Sequence, residues 1–151
     1  MKKSALLLLP LLTFLFLSPV SKAGATPAQT NQTVKMSSFN LSSQKWKNRV
    51  LLVFAPSEKA SAYQQQMQLF NQYKPGFADR DLVLVQVLAD EESNANLRDR
   101  FDVGKDDFRV ILVGKDGGVK SRYNSPVQAK AIFNEIDAMP MRRQEMRERG
   151  R

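Results

Sequence analysis

Cysteine and histidine are both missing from this chain of 151 residues. The first absence removes thiol nucleophiles, disulfides, paired-cysteine redox centres and thiolate metal sites. The second removes imidazole ligands and every mechanism built on an imidazole base. Whatever the protein binds or converts, it does so without the two side chains most often used for nucleophilic and metal chemistry.

Acidic residues are scarce at both ends. The chain carries 23 basic and 15 acidic residues, a net charge of +8. Gly24–Ser57 contains Lys35, Lys45, Lys47 and Arg49 with no acid, and Arg142–Arg151 sets five arginines against Glu145 and Glu148. Glu58–Met141 is slightly acidic, with 11 basic and 13 acidic residues. The positive excess therefore belongs to the flanks. With no basic stripe interleaved with aromatics in the body, nucleic acid is not an expected partner. An anionic envelope component is a more natural one for basic flanks.

The N-terminus has the three parts of a secretory signal peptide. Lys2 and Lys3 are followed by an apolar run over Ala5–Leu17 and then by small residues at Ser21, Ala23 and Ala25. Cleavage after Ala23 or after Ala25 satisfies the small-x-small rule. The run is shorter than the roughly 20 apolar residues of a spanning helix, so no stable membrane span is expected after cleavage. No cysteine follows it for lipid attachment. The expected location is periplasmic or secreted. Disulfides commonly stabilise small exported domains; this one must rely on its core alone. Residues 1–23 are thus read as signal peptide, 24–48 as a polar flexible linker, 49–141 as the folded domain and 142–151 as a basic tail.

Within the domain, Val50–Phe54 is a continuous apolar run and reads as a buried strand. Tyr63, Met67, Phe70 and Tyr73 then fall on one helical face, with Leu69 beside them and a glutamine-rich remainder including Gln64, Gln66 and Gln68. Ser57 is the expected N-cap, and Pro75-Gly76 the stop. Leu82–Leu88 is a second strand, and a short helix follows from Asp90-Glu91-Glu92-Ser93 with Leu97 and Phe101 on its inner face. Arg109–Val113 and Val119–Tyr123 form a hairpin across Lys115-Asp116-Gly117-Gly118, where Asp-Gly tolerates positive φ. Ser125-Pro126-x-Gln128 has the form of a capping box for a last helix carrying Ala129, Ile132, Phe133 and Ile136. The first two strands require a right-handed parallel crossover. The class is α/β: a mixed four-stranded sheet, strand-helix-strand-helix-strand-strand-helix, with helices on both faces. That is the minimal thioredoxin-like arrangement. A flavodoxin-like half is disfavoured because the hairpin stands where a further crossover would be.

In a thioredoxin-like enzyme the reactive thiol sits at the start of the first helix, where the helix dipole stabilises a thiolate. Here that stretch is Phe54-Ala55-Pro56-Ser57-Glu58-Lys59-Ala60-Ser61, without a thiol. Ser57 is read as a cap, and Glu58 and Lys59 as solvated charges. The loop before the third strand, Gly104-Lys105-Asp106-Asp107-Phe108, lacks the proline common in that fold. Asp90-Glu91-Glu92 and Asp106-Asp107 lack calcium-loop spacing. No catalytic residue, metal or cofactor is expected. Beyond Pro140, which ends the last helix or begins another, Met141, Gln144 and Met146 are expected to face the domain, leaving Arg142, Arg143 and Arg147 outside.

Three stretches carry a family resemblance: Val50–Ala55 with Pro56, Phe108–Lys120 with its Gly-Lys-Asp-Gly-Gly-Val-Lys core, and Ile136–Arg147 with Ile-Asp-Ala-Met-Pro-Met-Arg-Arg-Gln-Glu-Met. The chain resembles the domain of unknown function 4174 family over about Lys45 to Glu148. That family is similar to a domain of vertebrate sushi-repeat-containing and coiled-coil-domain-containing extracellular proteins. The resemblance implies a thioredoxin- or peroxiredoxin-like fold and supplies no catalytic residues. Any peroxidase activity implied by fold is contradicted by the missing cysteine, and fold alone does not license function. The expectation is an exported, non-redox thioredoxin-like module that binds another exported protein or an anionic envelope component. Its binding surface is expected to be Pro56, Ser57, Glu58, Lys59, Asp107 and Phe108, joined by Arg142 and Arg143. The alternative is a hydrolase or transferase using Glu58 or Lys59 in the same groove.

Overall fold

The computed structural model describes residues 34–35, 39–91 and 95–150. The signal-peptide reading, most of the linker, and Glu92 and Ser93 of the acidic helix start lie outside the described residues.

The elements run β1 (Val34–Lys35), β2 (Arg49–Ala55), α1 (Ser61–Asn71), α2 (Lys74–Asp79), β3 (Leu82–Leu88), α3 (Ala95–Phe101), β4 (Arg109–Val113), β5 (Val119–Tyr123), α4 (Ala129–Ala138) and α5 (Pro140–Glu148). One sheet holds all five strands in the order β1-β3-β2-β4-β5. The two-residue β1 adds an edge to the expected four, pairing parallel with β3 from within the stretch read as linker. A 3-10 turn at Leu41–Gln44, capped by the Asn40 side chain, also falls in that stretch and sends Leu41 into the core.

β2 is the centre of the sheet. It runs parallel to β3, Arg49↔Leu82 through Ala55↔Leu88, and antiparallel to β4, Val50↔Val113 through Phe54↔Arg109. All seven of its residues are buried, which is what an unbroken apolar run under two layers requires. The two-residue alternation of the strand divides the core. Leu51, Val53 and Ala55 meet Tyr63 and Phe70 of α1, Phe77 of α2 and Ile132, Phe133 and Ile136 of α4. Val50, Leu52 and Phe54 meet Leu97 and Phe101 of α3 with Leu41 and Val103. Helices thus cover both faces.

Three helix boundaries depart from the sequence reading. α1 begins at Ser61, not at Ser57; its N-cap is Ala60, whose side chain makes no capping bond. Ser57 Oγ instead accepts from the Lys59 N–H at 3.3 Å and so shapes a loop. α4 likewise begins after Gln128 and not at Ser125. Pro75-Gly76 does not end a helix but lies in the first turn of α2, where a proline without an N–H is tolerated. A Cβ on Gly76 would lie 2.5 Å from the Phe133 ring, so glycine here is what lets α2 and α4 pack this closely. Gly117 sits at φ +83° in the β4–β5 turn, as the Asp-Gly pair foretells.

The tail is the largest correction. Arg142 was expected outside and Met141 inside. Arg142 is 1% exposed, and Met141 is 39% exposed. The Arg142 guanidinium bonds Asp79 Oδ2 at 2.7 Å, the Asp79 carbonyl at 2.9 Å and Asp137 Oδ1 at 3.2 Å. α5 therefore continues across the point where a separate tail was expected, and docks on the domain through charge.

Candidate functional site

Two ends of the sheet are chemically distinct. At the C-terminal end of β2 the chain leaves the core at Ala55-Pro56. The Phe54↔Arg109 pair closes the β2–β4 ladder, so this exit lies beside the entry to β4 at Phe108. The expected residues Pro56, Ser57, Glu58, Lys59, Asp107 and Phe108 are brought to one rim. Pro56 and Ser57 are half-buried, Glu58, Lys59 and Asp107 are exposed, and Phe108 packs its ring against the inner core. Asp107 Oδ2 accepts from the Gly104 N–H at 3.2 Å and lies 3.8 Å from Arg109.

Arg142 and Arg143 are not part of this rim. Arg142 belongs to a cluster at the opposite end of β2, where Arg49 Nη2 meets Glu145 Oε1 of α5 at 3.1 Å. Seven strand residues separate the two ends by about 20 Å. Lys115 bridges Asp81 at 2.8 Å and Glu145 at 2.9 Å. Arg80 pairs with Asp137 at 2.5 Å, and Arg149 with Asp81 at 3.0 Å. Burial pushes the Asp81, Asp137 and Glu145 carboxyls up, but hydrogen bonds and charge from Lys115, Arg149, Arg80, Arg142 and Arg49 outweigh it and hold all three below their ordinary values. The single surface expected from rim and tail is thus two separate features, because the partners of Arg142 lie at the end of α2 and in α4 and α5. Arg143 is exposed.

The residue that organises the rim was not singled out in the sequence. Arg98 of α3 is 4% exposed. Its guanidinium donates to the backbone carbonyls of Ala55, Val87 and Gly104. It ties together the ends of β2 and β3 and the loop that leads into β4. Its centre lies 5.7 Å from the Phe54 ring centroid. Burial lowers the Arg98 pKa, opposed by Asp107 and Asp106. The available signal was one arginine next to Leu97 on an apolar helix face, which a surface-charge reading passes over.

From Glu58 a groove of about 590 Å³ runs along α1. Tyr63 and Met67 form part of its wall, with carboxamides from Gln64, Gln68 and Gln86. Burial, with Glu58 and Glu91 adding to it, pushes the Tyr63 hydroxyl up to about 12. Gln86 Nε2 lies 3.9 Å from Met67 Sδ. Carboxamides both donate and accept, so this wall can match main-chain N–H and C=O groups. Glu58 and Lys59 are both exposed, whereas acid–base or amine chemistry would need them desolvated beside a second ionisable group. Among the described residues, no group of three or more Asp or Glu side chains is placed to hold a metal ion.

A central parallel pair, an antiparallel hairpin and helices on both faces define a thioredoxin-like protein, and solved structures agree. The reduced 2-Cys peroxiredoxin of Plasmodium vivax superposes with a TM-score of 0.55 at 16% identity, covering 71% of this chain and 85% of that one. Plasmodium yoelii thioredoxin peroxidase I gives 0.55 at 16% identity, covering 75% and 82%. More narrowly, the chain belongs to the family described as "Domain of unknown function (DUF4174)", whose model matches residues 40–145. It is 27% identical to coiled-coil domain-containing protein 80 of Danio rerio over 150 aligned positions, 82% of this chain and 17% of that one. It is 28% identical to human sushi repeat-containing protein SRPX over 114 positions, 66% of this chain and 25% of that one. The chain thus spans a quarter or less of these relatives.

Proposed function

We propose that this is an exported, non-redox binding domain that holds a segment of another exported protein at the rim formed by Pro56–Lys59 and Asp107–Phe108. One observation carries the reading. The thioredoxin-like rim is built and anchored, with Arg98 tying three backbone carbonyls behind it, while the chain holds no cysteine to use there. A buried guanidinium is costly to desolvate, and its position favours a rim kept in one shape over a loop left to drift. Export is supported by the sequence of Met1–Ala25, and a periplasmic or secreted location follows from it.

A polypeptide partner is favoured by the groove that continues from Glu58 between α1 and β3, with its carboxamide wall. The exposure of Glu58 and Lys59 favours binding over the hydrolase or transferase alternative. Binding of an anionic component by Arg142 and Arg143 together is not retained, since Arg142 is already committed to Asp79 and Asp137.

Site-specific photocrosslinking in the native envelope tests the proposal. A crosslinker at Glu58 should capture a discrete protein, and one at Arg143, at the other end of the sheet, should not. Reversing charge with Lys59→Glu in the same protein should weaken that capture while leaving the urea midpoint unchanged. Equal capture from both ends, or none from Glu58, would overturn the rim assignment.

A further inference from the structure

Trp46, the sole tryptophan of the chain, stands 64% exposed at the end of the sheet opposite the rim. Its backbone adopts φ +65°, a left-handed conformation that bulky residues rarely take. The conformation is held by its N–H, which donates to the Lys115 carbonyl at 2.6 Å. Lys115 follows β4, whose Val113 pairs with Val50 at the start of β2, so Trp46 is fastened to the base of the sheet. A flexible turn would let the ring fold back on the domain; this one keeps it outward.

The charges around the ring are uneven. Lys45 lies with Nζ 5.5 Å from the indole centroid, and its aliphatic stem passes over Gly117. Lys47 on the other side is exposed. Among the described residues no salt bridge reaches Lys45 or Lys47, whereas the carboxylates at this end are engaged. Asp116 holds Lys120 at 2.6 Å, Asp81 holds Lys115 and Arg149, and Glu145 holds Arg49 and Lys115. The corner is therefore an outward indole flanked in sequence by two exposed lysines that make no salt bridge among the described residues, while Asp116, Asp81 and Glu145 are already paired.

We propose that the Lys45-Trp46-Lys47 corner docks the protein peripherally on an anionic phospholipid surface, with the indole at headgroup depth. Indole is amphipathic and partitions to the membrane–water boundary, and each lysine near an anionic leaflet adds attraction that falls off within a Debye length. A sugar or a peptide side chain is usually held by walls on more than one side, and a ring 64% exposed is not enclosed in that way by the described residues. A flat array of negative charge needs no such walls. The inference goes beyond the rim reading and does not depend on it, since the two surfaces lie at opposite ends of β2.

Because Trp46 is the only tryptophan, its fluorescence reports this corner alone. The full chain is titrated with phosphatidylcholine vesicles, with and without phosphatidylglycerol, and with dextran sulfate. The expected result is a blue shift and protection from acrylamide on phosphatidylglycerol vesicles only, reversed by about 0.5 M salt. The double variant Lys45→Glu, Lys47→Glu should need on the order of tenfold more anionic lipid for the same shift, with an unchanged circular dichroism spectrum. No shift on phosphatidylglycerol, an equal shift on pure phosphatidylcholine, or an unaffected double variant would overturn the proposal. A shift with dextran sulfate and none with vesicles would overturn it in favour of an anionic polysaccharide.

Discussion

Gln66 engages the backbone of Val127 in both directions. Its Nε2 donates to the Val127 carbonyl at 2.8 Å, and its Oε1 accepts from the Val127 N–H at 2.8 Å. Gln66 is fully buried. The carboxamide thus acts as a substitute peptide group, closing the approach to α4 as a strand partner would. The sequence placed Gln66 among the solvated glutamines of α1, and it is the one that turns inward. Replacing it with Met keeps the volume and leaves both Val127 groups unpaired. The expected loss is about 2 kcal/mol, measured as a fall in the urea midpoint at constant m-value. Gln65→Met, at an exposed neighbour, should change stability by less than about 0.5 kcal/mol.

Arg142→Met should be severe for its position near the chain end. It takes the buried guanidinium away from Asp79 and Asp137, which keep Arg80, and loosens the docking of α5. Since both carboxylates keep some water contact, about 29% and 31% exposed, the cost belongs at the lower end of a broken buried pair, about 3 kcal/mol. Lys at this position restores one charge but not the forked bonding to Asp79 and Asp137, so it should recover only part. Arg143→Met should be nearly silent. Chemical denaturation of the three variants separates a docked helix from a solvated tail.

The same cluster sets an acid limit. Asp81, Asp137 and Glu145 have folded pKa values below their ordinary ones. Such groups bind fewer protons folded than unfolded as pH falls, so their stabilisation is complete above the ordinary carboxylate range and is lost as pH drops through the folded values. The urea midpoint should stay level from about pH 7 to 5.5 and decline below about pH 4.5. Lys115→Met removes a partner from both Asp81 and Glu145, and should flatten that decline. An unchanged slope would show that the cluster is not its source.

Arg98→Met should loosen the rim. The Ala55, Val87 and Gly104 carbonyls lose a shared donor, at a cost of about 2–3 kcal/mol. Amide exchange over residues 55–59 and 104–108 should accelerate more than in β4 and β5. Uniform acceleration would mean that Arg98 contributes only to global stability.

At Gly76 even a methyl group is too large. Gly76→Ala would place Cβ against the Phe133 ring and should cost about 1–3 kcal/mol through overpacking. Phe133→Leu in the same background should recover part of that loss, read as a double-mutant cycle in thermal unfolding.

Much of the architecture was legible because apolar periodicity is a local property. Val50–Phe54, Leu82–Leu88, Arg109–Val113 and Val119–Tyr123 read as strands from composition and turn residues, and the structure puts strands there. Helix starts were read less well. Ser57 and Ser125 both have capping chemistry, yet three further residues pass before α1 and α4 begin. A serine hydroxyl can serve a loop N–H as readily as a helical one, as Ser57 does for Lys59. The short β1 lay beyond local reading, because two residues become a strand only when an edge of β3 is there to pair with.

By itself the sequence determined the α/β class, the central buried strand, the hairpin turn at Gly117 and the absence of any thiol at the end of β2. Tertiary structure alone decided which polar side chains go inside. Arg98, Gln66 and Arg142 look like surface residues in a linear reading, since their burial is tolerable only when specific partners converge on them. Those partners are the carbonyls of Ala55, Val87 and Gly104, the backbone of Val127, and the carboxylates of Asp79 and Asp137. They lie 5 to 63 residues away along the chain, and only the fold brings them within bonding distance. The same convergence separated the rim from the arginine helix and left Trp46 facing out.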